Sequence, residues 1–142
     1  IHTQLTIACR QQKMRPRREL PEEENYQGIH VALLSGLLGN IAQLQEGREY
    51  LGSRNRKLFV FPGSSQARKP PKWLVAAEIV ETSRVYARDV GAIDPQWVLG
   101  INPDLLKHHY YHPRWQSRSG RAMAYERVSL YGLTVSDKRS VH

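Results

Sequence analysis

Apolar positions along the chain change their spacing once, near residue 39. Before that point, Ile29, Ala32, Leu33, Gly36 and Leu37 recur at helical intervals and predict an amphipathic helix over 25–38. Asn25 is placed to cap it, and Gly39-Asn40 to stop it. Gly36 inside a helix costs about 1 kcal/mol relative to Ala, which predicts a neighbour packed closely against it. Upstream, Leu5, Ile7, Ala8 and Cys9 among good helix formers predict the end of a helix within 3–14. Residues 15–24 set Arg-Pro-Arg-Arg against Pro-Glu-Glu-Glu. Pro16 and Pro21 break any helix there, so a solvated loop is expected.

Beyond Gly39 the period drops to about two. Short β-branched or aromatic runs at 41–44, 50–52, 57–61, 73–80 and 85–93 are separated by Gly, Ser, Asn or Pro. Alternation within 57–61 puts Phe59 and Phe61 on one face, read as filling the interior, and Trp73 opens a core strand. Pro62-Gly63-Ser64-Ser65 is a turn. Five short strands in succession predict a small curved barrel of OB type, with an SH3-like barrel as the nearest alternative. Asp94 caps, and Pro95 begins, a short helix that presents Trp97 to the barrel. Residues 103–107 are expected as a helical turn, 108–115 have no period, and 123–133 read as one strand. The expected fold is therefore mainly β. It is a five-stranded OB-type barrel preceded by one or two helices and followed by a short helix and an extra C-terminal strand segment.

Composition sharpens this. The chain has 142 residues, enough for one domain or one domain with pieces of its neighbours, and 40% of them are hydrophobic. Its net charge of +8 comes from 21 Lys and Arg against 13 Asp and Glu. Six of those cations (Arg54, Arg56, Lys57, Arg68, Lys69 and Lys72) fall within 51–77, where there is no acid. A basic rim on a sheet is a docking surface for a polyanion. Cys9 is the only cysteine, so neither an intramolecular disulfide nor a multi-Cys zinc site is available, in keeping with a reducing compartment. No apolar run approaches the ~20 residues of a bilayer span, and no signal peptide opens the chain. A cytoplasmic, membrane-free setting is expected, and the start at Ile1 reads as an excised piece of something larger.

Catalytic patterns are absent. Neither GxxxxGK[ST] nor GxGxxG occurs. Ser64 and Ser65 lack the second Gly of a nucleophile elbow and read as turn formers. His108 and His112 have i, i+4 spacing, but His109 stands where a zincin has its Glu, and Pro113 ends the turn. Glu78 and Glu81 read as salt-bridge partners of Arg84 or Arg88. No catalytic residue, metal ligand or enzymatic activity is assigned to this stretch. What remains is phosphate gripping by Arg54, Arg56, Lys57, Lys69, Lys72 and Arg84, with aromatic stacking as a lesser contributor.

Three blocks carry a resemblance. Residues 56–65 (Arg-Lys-Leu-Phe-Val-Phe-Pro-Gly-Ser-Ser), 70–88 (Pro-Pro-Lys-Trp-Leu-Val-Ala-Ala-Glu-Ile-Val-Glu-Thr-Ser-Arg-Val-Tyr-Ala-Arg) and 93–97 (Ile-Asp-Pro-Gln-Trp) stand in order. Together they resemble the OB-fold domain of DEAH-box RNA helicases, whose phrase W-V-x-x-x-E-x-V-x-T-x-x-x-Y-x-R is met except for Leu74 in place of Val. Phe-Pro-Gly-Ser, together with 123–133 (Met-Ala-Tyr-Glu-Arg-Val-Ser-Leu-Tyr-Gly-Leu), is similar to the bacterial HrpA-type members. The resemblance implies the end of a helical, ratchet-like domain at 1–38, an OB-fold domain at 39–100 and the start of an HrpA-type C-terminal region at 101–142. It implies an accessory part of a 3′-to-5′ helicase whose ATP, Mg²⁺ and motor domains lie elsewhere in the protein, with no cofactor in this segment. Single-stranded RNA and the motor domains in cis are the implied partners of a monomer. RNA contacts carry over to Arg54, Arg56 and Lys57 and to Thr82, Ser83 and Arg84, with Arg68 and Lys69 in a more variable loop. The competing reading is a protein-interaction module using Tyr110, Tyr111 and Trp115.

Overall fold

The computed structural model describes residues 1–15 and 22–141. Strands β1 (Ile41–Leu44), β2 (Glu49–Gly52), β3 (Lys57–Val60), β4 (Trp73–Glu81) and β5 (Val85–Ala92) close into a barrel in the order β1-β2-β3-β5-β4. All pairings are antiparallel except β3 with β5, where Phe59 meets Tyr86 and Val60 meets Ala87. This is the OB-type arrangement expected from the strand pattern.

The barrel is filled by Ala42, Tyr50, Leu58, Leu74, Ala76 and Ala87, with Val60, Ile79 and Val90 at its margins. Here one expectation fails. Leu58 is 2% exposed, whereas Phe61 is 37% exposed and Phe59 is only half-buried, so β3 turns its phenylalanines outward. Two faces of a strand alternate strictly, so assigning the larger rings to the interior inverted the whole strand. The reason is space. A barrel lined with three alanines has room for Leu58 under β5, and the rings find partners outside.

A second core lies on the other side of β1 and β4. Ile41, Trp73 and Val75 point away from the barrel interior and pack with Leu34 and Leu38, Ile93 and Val98, and Val128, Leu130, Leu133 and Val135. The first pair comes from helix α2 (Glu22–Leu37) and the turn after it. Val98 comes from α3 (Pro95–Leu99), and the last four come from a three-stranded sheet. That sheet, ordered β6 (Leu106–Gln116), β7 (Arg121–Leu130), β8 (Leu133–Val141), replaces the single strand expected at 123–133. The aperiodic stretch 108–115 is β6 itself. It is an edge strand exposed on most of its length, so burial imposes no alternation on it. Trp97 joins the margin of this second core, and Asp94 caps α3 by accepting from the Gln96 N–H at 2.8 Å, as expected.

Other expectations shift. Helix α1 (His2–Gln11) buries no residue. Helix α2 begins at Glu22, so Asn25 lies inside it, and the loop expected over 15–24 falls largely outside the described residues. The helical turn at 103–107 ends as a 3₁₀ turn at Leu105. Nothing lies within 4 Å of a Cβ built on Gly36; the close approach is at Gly91, where a Cβ would sit 2.5 Å from the His30 ring. His30 stacks on Tyr26 at 3.8 Å between centroids, and the Tyr26 hydroxyl donates to the Ala92 carbonyl at 2.9 Å, so α2 is seated on the end of β5.

The outer sheet is tied by two polar networks. Glu126 is buried and accepts from His108 Nδ1 at 2.7 Å; this bond is the main cause of its lowered pKa. Asp137 accepts from the Tyr111 hydroxyl at 2.6 Å and from Arg127 at 3.1 Å. The Tyr111 bond, then the Arg127 bond, holds the Asp137 carboxyl down at about 2, below its ordinary 3.8.

Leu58→Ala should lower stability by about 2–5 kcal/mol in urea unfolding, as for other buried leucines, and Phe59→Ala by less than half as much. Because the folded pKa of Asp137 is depressed, its contribution is complete above 3.8 and is lost as pH falls through about 2. An acid titration followed by circular dichroism should show a component in that window that Asp137→Asn removes.

Candidate nucleic-acid interface

The outward face of β3 and the three loops beside it form one groove. The β1–β2 hairpin turns at Gly47, whose φ of +64 suits glycine, and delivers Arg48. The β4–β5 hairpin closes with the Thr82 N–H and hydroxyl both donating to the Arg84 carbonyl, at 2.9 and 3.3 Å, and delivers Arg84. Between β3 and β4, Ser64 caps a 3₁₀ turn by accepting from Gln66 N–H at 3.3 Å, and Arg68 follows that turn. Arg48, Phe59, Pro62, Arg68, Arg84 and Tyr86 line a groove of about 310 Å³.

No carboxylate lines this groove. One guanidinium there meets a ring face instead of a counter-ion. The Arg84 guanidinium carbon stands 5.1 Å from the Phe59 centroid. Beyond the groove, Arg88 stands 4.5 Å from Phe61, whose ring meets Tyr86 edge-on at 6.0 Å. Such cation–π pairs hold a guanidinium in place while leaving its N–H donors free. The floor is firm, because the buried Tyr50 hydroxyl donates to the Pro71 carbonyl at 2.6 Å and burial pushes its pKa up to about 12.

The residues singled out from sequence divide among three places. Arg84 lines the groove and Arg68 lies with it. Arg54 and Arg56 line a different cleft of about 820 Å³, between the barrel and the outer sheet, shared with Asn40, Ser53, Glu78 and Tyr131. There Arg56 is bound to Glu81 at 2.7 Å, and the Arg54 N–H donates to the Tyr131 carbonyl at 2.8 Å. Glu81 was expected to pair with Arg84 or Arg88; Arg56 takes it because those two arginines are held over phenyl rings. Lys57 pairs with Glu49 across the β2–β3 ladder at 3.0 Å. Lys69 and Lys72 are exposed on the β3–β4 loop, and Thr82 and Ser83 form the hairpin tip. Arg48 was missed. It sits in Glu46-Gly47-Arg48-Glu49, where neighbouring acids hide it from any charge window, and only its position on the loop after β1 marks it.

Comparison with known proteins bears on this geometry. The family described as oligonucleotide/oligosaccharide-binding (OB)-fold matches residues 29–105, more than half of the chain. The chain belongs to this OB-fold family.

Within that family, this OB-fold chain is 43% identical over 122 residues to the ATP-dependent RNA helicase HrpA of Escherichia coli, covering 85% of the chain and 9% of that protein. The HrpA homolog of Haemophilus influenzae matches with the same figures. A probable ATP-dependent RNA helicase of Homo sapiens, DHX35, is 35% identical over 81 residues, covering 56% of the chain and 11% of that protein. The chain thus spans about a tenth of the length of these curated relatives, and within them it is similar to the C-terminal OB region of HrpA-type helicases. The crystal structure of the E. coli DExH-box NTPase HrpB shares the fold, with a TM-score of 0.57 at 16% identity over 92% of the chain and 16% of that structure's chain. No described helix is long and apolar enough to cross a membrane, and no described group of three His, Cys, Asp or Glu could hold a metal ion.

Proposed function

We propose that this OB-fold chain is an accessory module that holds single-stranded RNA by its phosphate backbone, beside the ATPase motor of a DEAH-box 3′-to-5′ helicase. The observation that carries the proposal is the carboxylate-free groove lined by Arg48, Arg68 and Arg84 together with Phe59 and Tyr86, with Arg84 over the Phe59 ring. Guanidinium forks match phosphate oxygens, and a guanidinium lying on a ring offers a plane on which a base can stack. Arg54, Arg56 and Lys57, with Lys69, Lys72, Thr82 and Ser83, extend the basic rim along the strand. Arg56 and Lys57 would first exchange the carboxylates of Glu81 and Glu49 for phosphate.

In this reading the module performs no chemistry; ATP and Mg²⁺ act in the motor domains, which lie outside this sequence. Residues 1–38 would close a helical domain next to the motor, 39–100 would be the RNA-holding barrel, and 101–142 would begin a further region. Exposed Leu5, Ile7, Ile29 and Leu33 on α1 and α2 give those helices an apolar surface for such neighbours in cis. A cytoplasmic monomer fits this arrangement. The same exposed residues, with Tyr110 and Trp115 at 57% and 67% exposure, favour the second reading, a module that docks on protein without touching RNA.

Fluorescence anisotropy with an oligouridylate at rising salt separates the two. Three arginines neutralising three phosphates give a log–log salt slope of about −2, since single strands contribute roughly −0.7 per phosphate. The double substitution Arg48→Ala/Arg84→Ala should flatten that slope by more than half and weaken binding at least tenfold at low salt. Binding that ignores both salt and these substitutions would hand the surface to a protein partner.

A further inference from the structure

The β6–β8 sheet shows its second core to one side and a different surface to the other. On the outward side Tyr111 and Tyr125 are direct cross-strand partners, with ring centroids 5.8 Å apart. His109 stacks on Tyr111 at 6.2 Å with 15° between the planes, and Arg127 lies over the same ring at 5.3 Å. Arg114 lies over Tyr125 at 5.4 Å. Its position depends on a β-bulge. Two residues of β6 (His112 and Pro113) stand opposite one of β7 (Ala124), and His112 takes a φ of +49 to make the step. An unbulged strand would have put Pro113 opposite Met123; the extra residue delivers a guanidinium beside Tyr125 instead.

Charge on this sheet is one-sided. Residues 106–141 carry seven Lys or Arg and two carboxylates, Glu126 and Asp137. Glu126 is 5% exposed and bonded to His108, and Asp137 is taken up by Tyr111 and Arg127. No carboxylate is left to answer Arg114, which has only a ring as partner among the described contacts. The bulge and Pro113 also blunt β6 as an edge for another strand, so backbone pairing with a protein is not what this surface is shaped for. Rings in a row, each with a cation over it and no free acid, are what a splayed single strand meets when bases stack and phosphates pair.

The geometry points to the outward face of β6–β7, centred on Tyr111, Tyr125, Arg114 and Arg127, as a second binding platform for single-stranded nucleic acid, separate from the barrel groove. A duplex hides its base faces and would use only the cations. The platform does not depend on the groove's function, and the two can be scored separately.

The test is ultraviolet crosslinking of the whole chain to a fluorescein-labelled oligouridylate longer than the roughly 4–16 nucleotides one OB fold covers, followed by peptide mass mapping. Crosslinks are expected on the peptides holding Tyr111 and Tyr125, and they should persist in Arg48→Ala/Arg84→Ala. Arg114→Gln/Arg127→Gln should cut their yield about tenfold, the equivalent of one stacked base. Arg114→Gln alone breaks no ion pair and keeps the result readable if loss of the Asp137 bond unfolds the sheet; about threefold is expected, half that effect on a logarithmic scale. Crosslinks confined to 45–92 would overturn the platform while leaving the groove reading intact, and would make this face a protein surface. Failure of the chain to bind at all would overturn both.

Discussion

Along Trp73–Ala76 strand β4 has no solvent face, and the molecule is organised around that fact. Leu74 and Ala76 enter the barrel while Trp73 and Val75 enter the second core, so one short strand serves as the wall between two hydrophobic interiors. Strand β1 does the same with Ile41 and Ala42. The barrel interior is the smaller core, half of it alanine, with Tyr50, Leu58 and Leu74 supplying bulk. Sharing a wall lets the barrel be covered on one side by α2, α3 and the outer sheet, and leaves the β2–β3–β5 side open to solvent. The groove lies on the open side because the covered side is occupied.

Which parts were legible in the sequence follows from the same wall. The doubly buried run 73–76 reads as unbroken apolar residues, so β4 was easy to place. The five strand runs, the Asp94-Pro95 helix start and the OB closure came out of spacing and turn residues. Strand β3 did not. Leu-Phe-Val-Phe alternates equally well in either sense, and only the size of the interior decides which set turns in. The outer sheet was half seen, because β6 is exposed on nearly every residue and carries no periodic signal, whereas β7 presents Val128 and Leu130 to the core.

The groove was legible by charge in part. A window count picks out 51–77 but cannot tell a cation with a carboxylate partner from one without. Arg56 and Lys57 carry the densest local charge and both have partners. Arg48, flanked by acids in sequence, lines a groove that has none. Phenylalanines turned outward complete the difference, since they take up Arg84 and Arg88 and keep Glu81 for Arg56. Register, which looked like a detail of the core, therefore decides the electrostatics of the surface.

Gly91 and Arg84 stand near the two ends of β5. At one end the missing side chain admits His30, and Tyr26 bonds to Ala92, so α2 bears directly on the strand; at the other, Arg84 and Tyr86 border the groove. Six residues separate them; β4 pairs along most of that stretch, β3 pairs at Tyr86 and Ala87, and Asp89 interrupts the extended backbone with a φ of +48. One strand thus carries both the seat of α2 and the border of the groove, with a left-handed step at Asp89 between them.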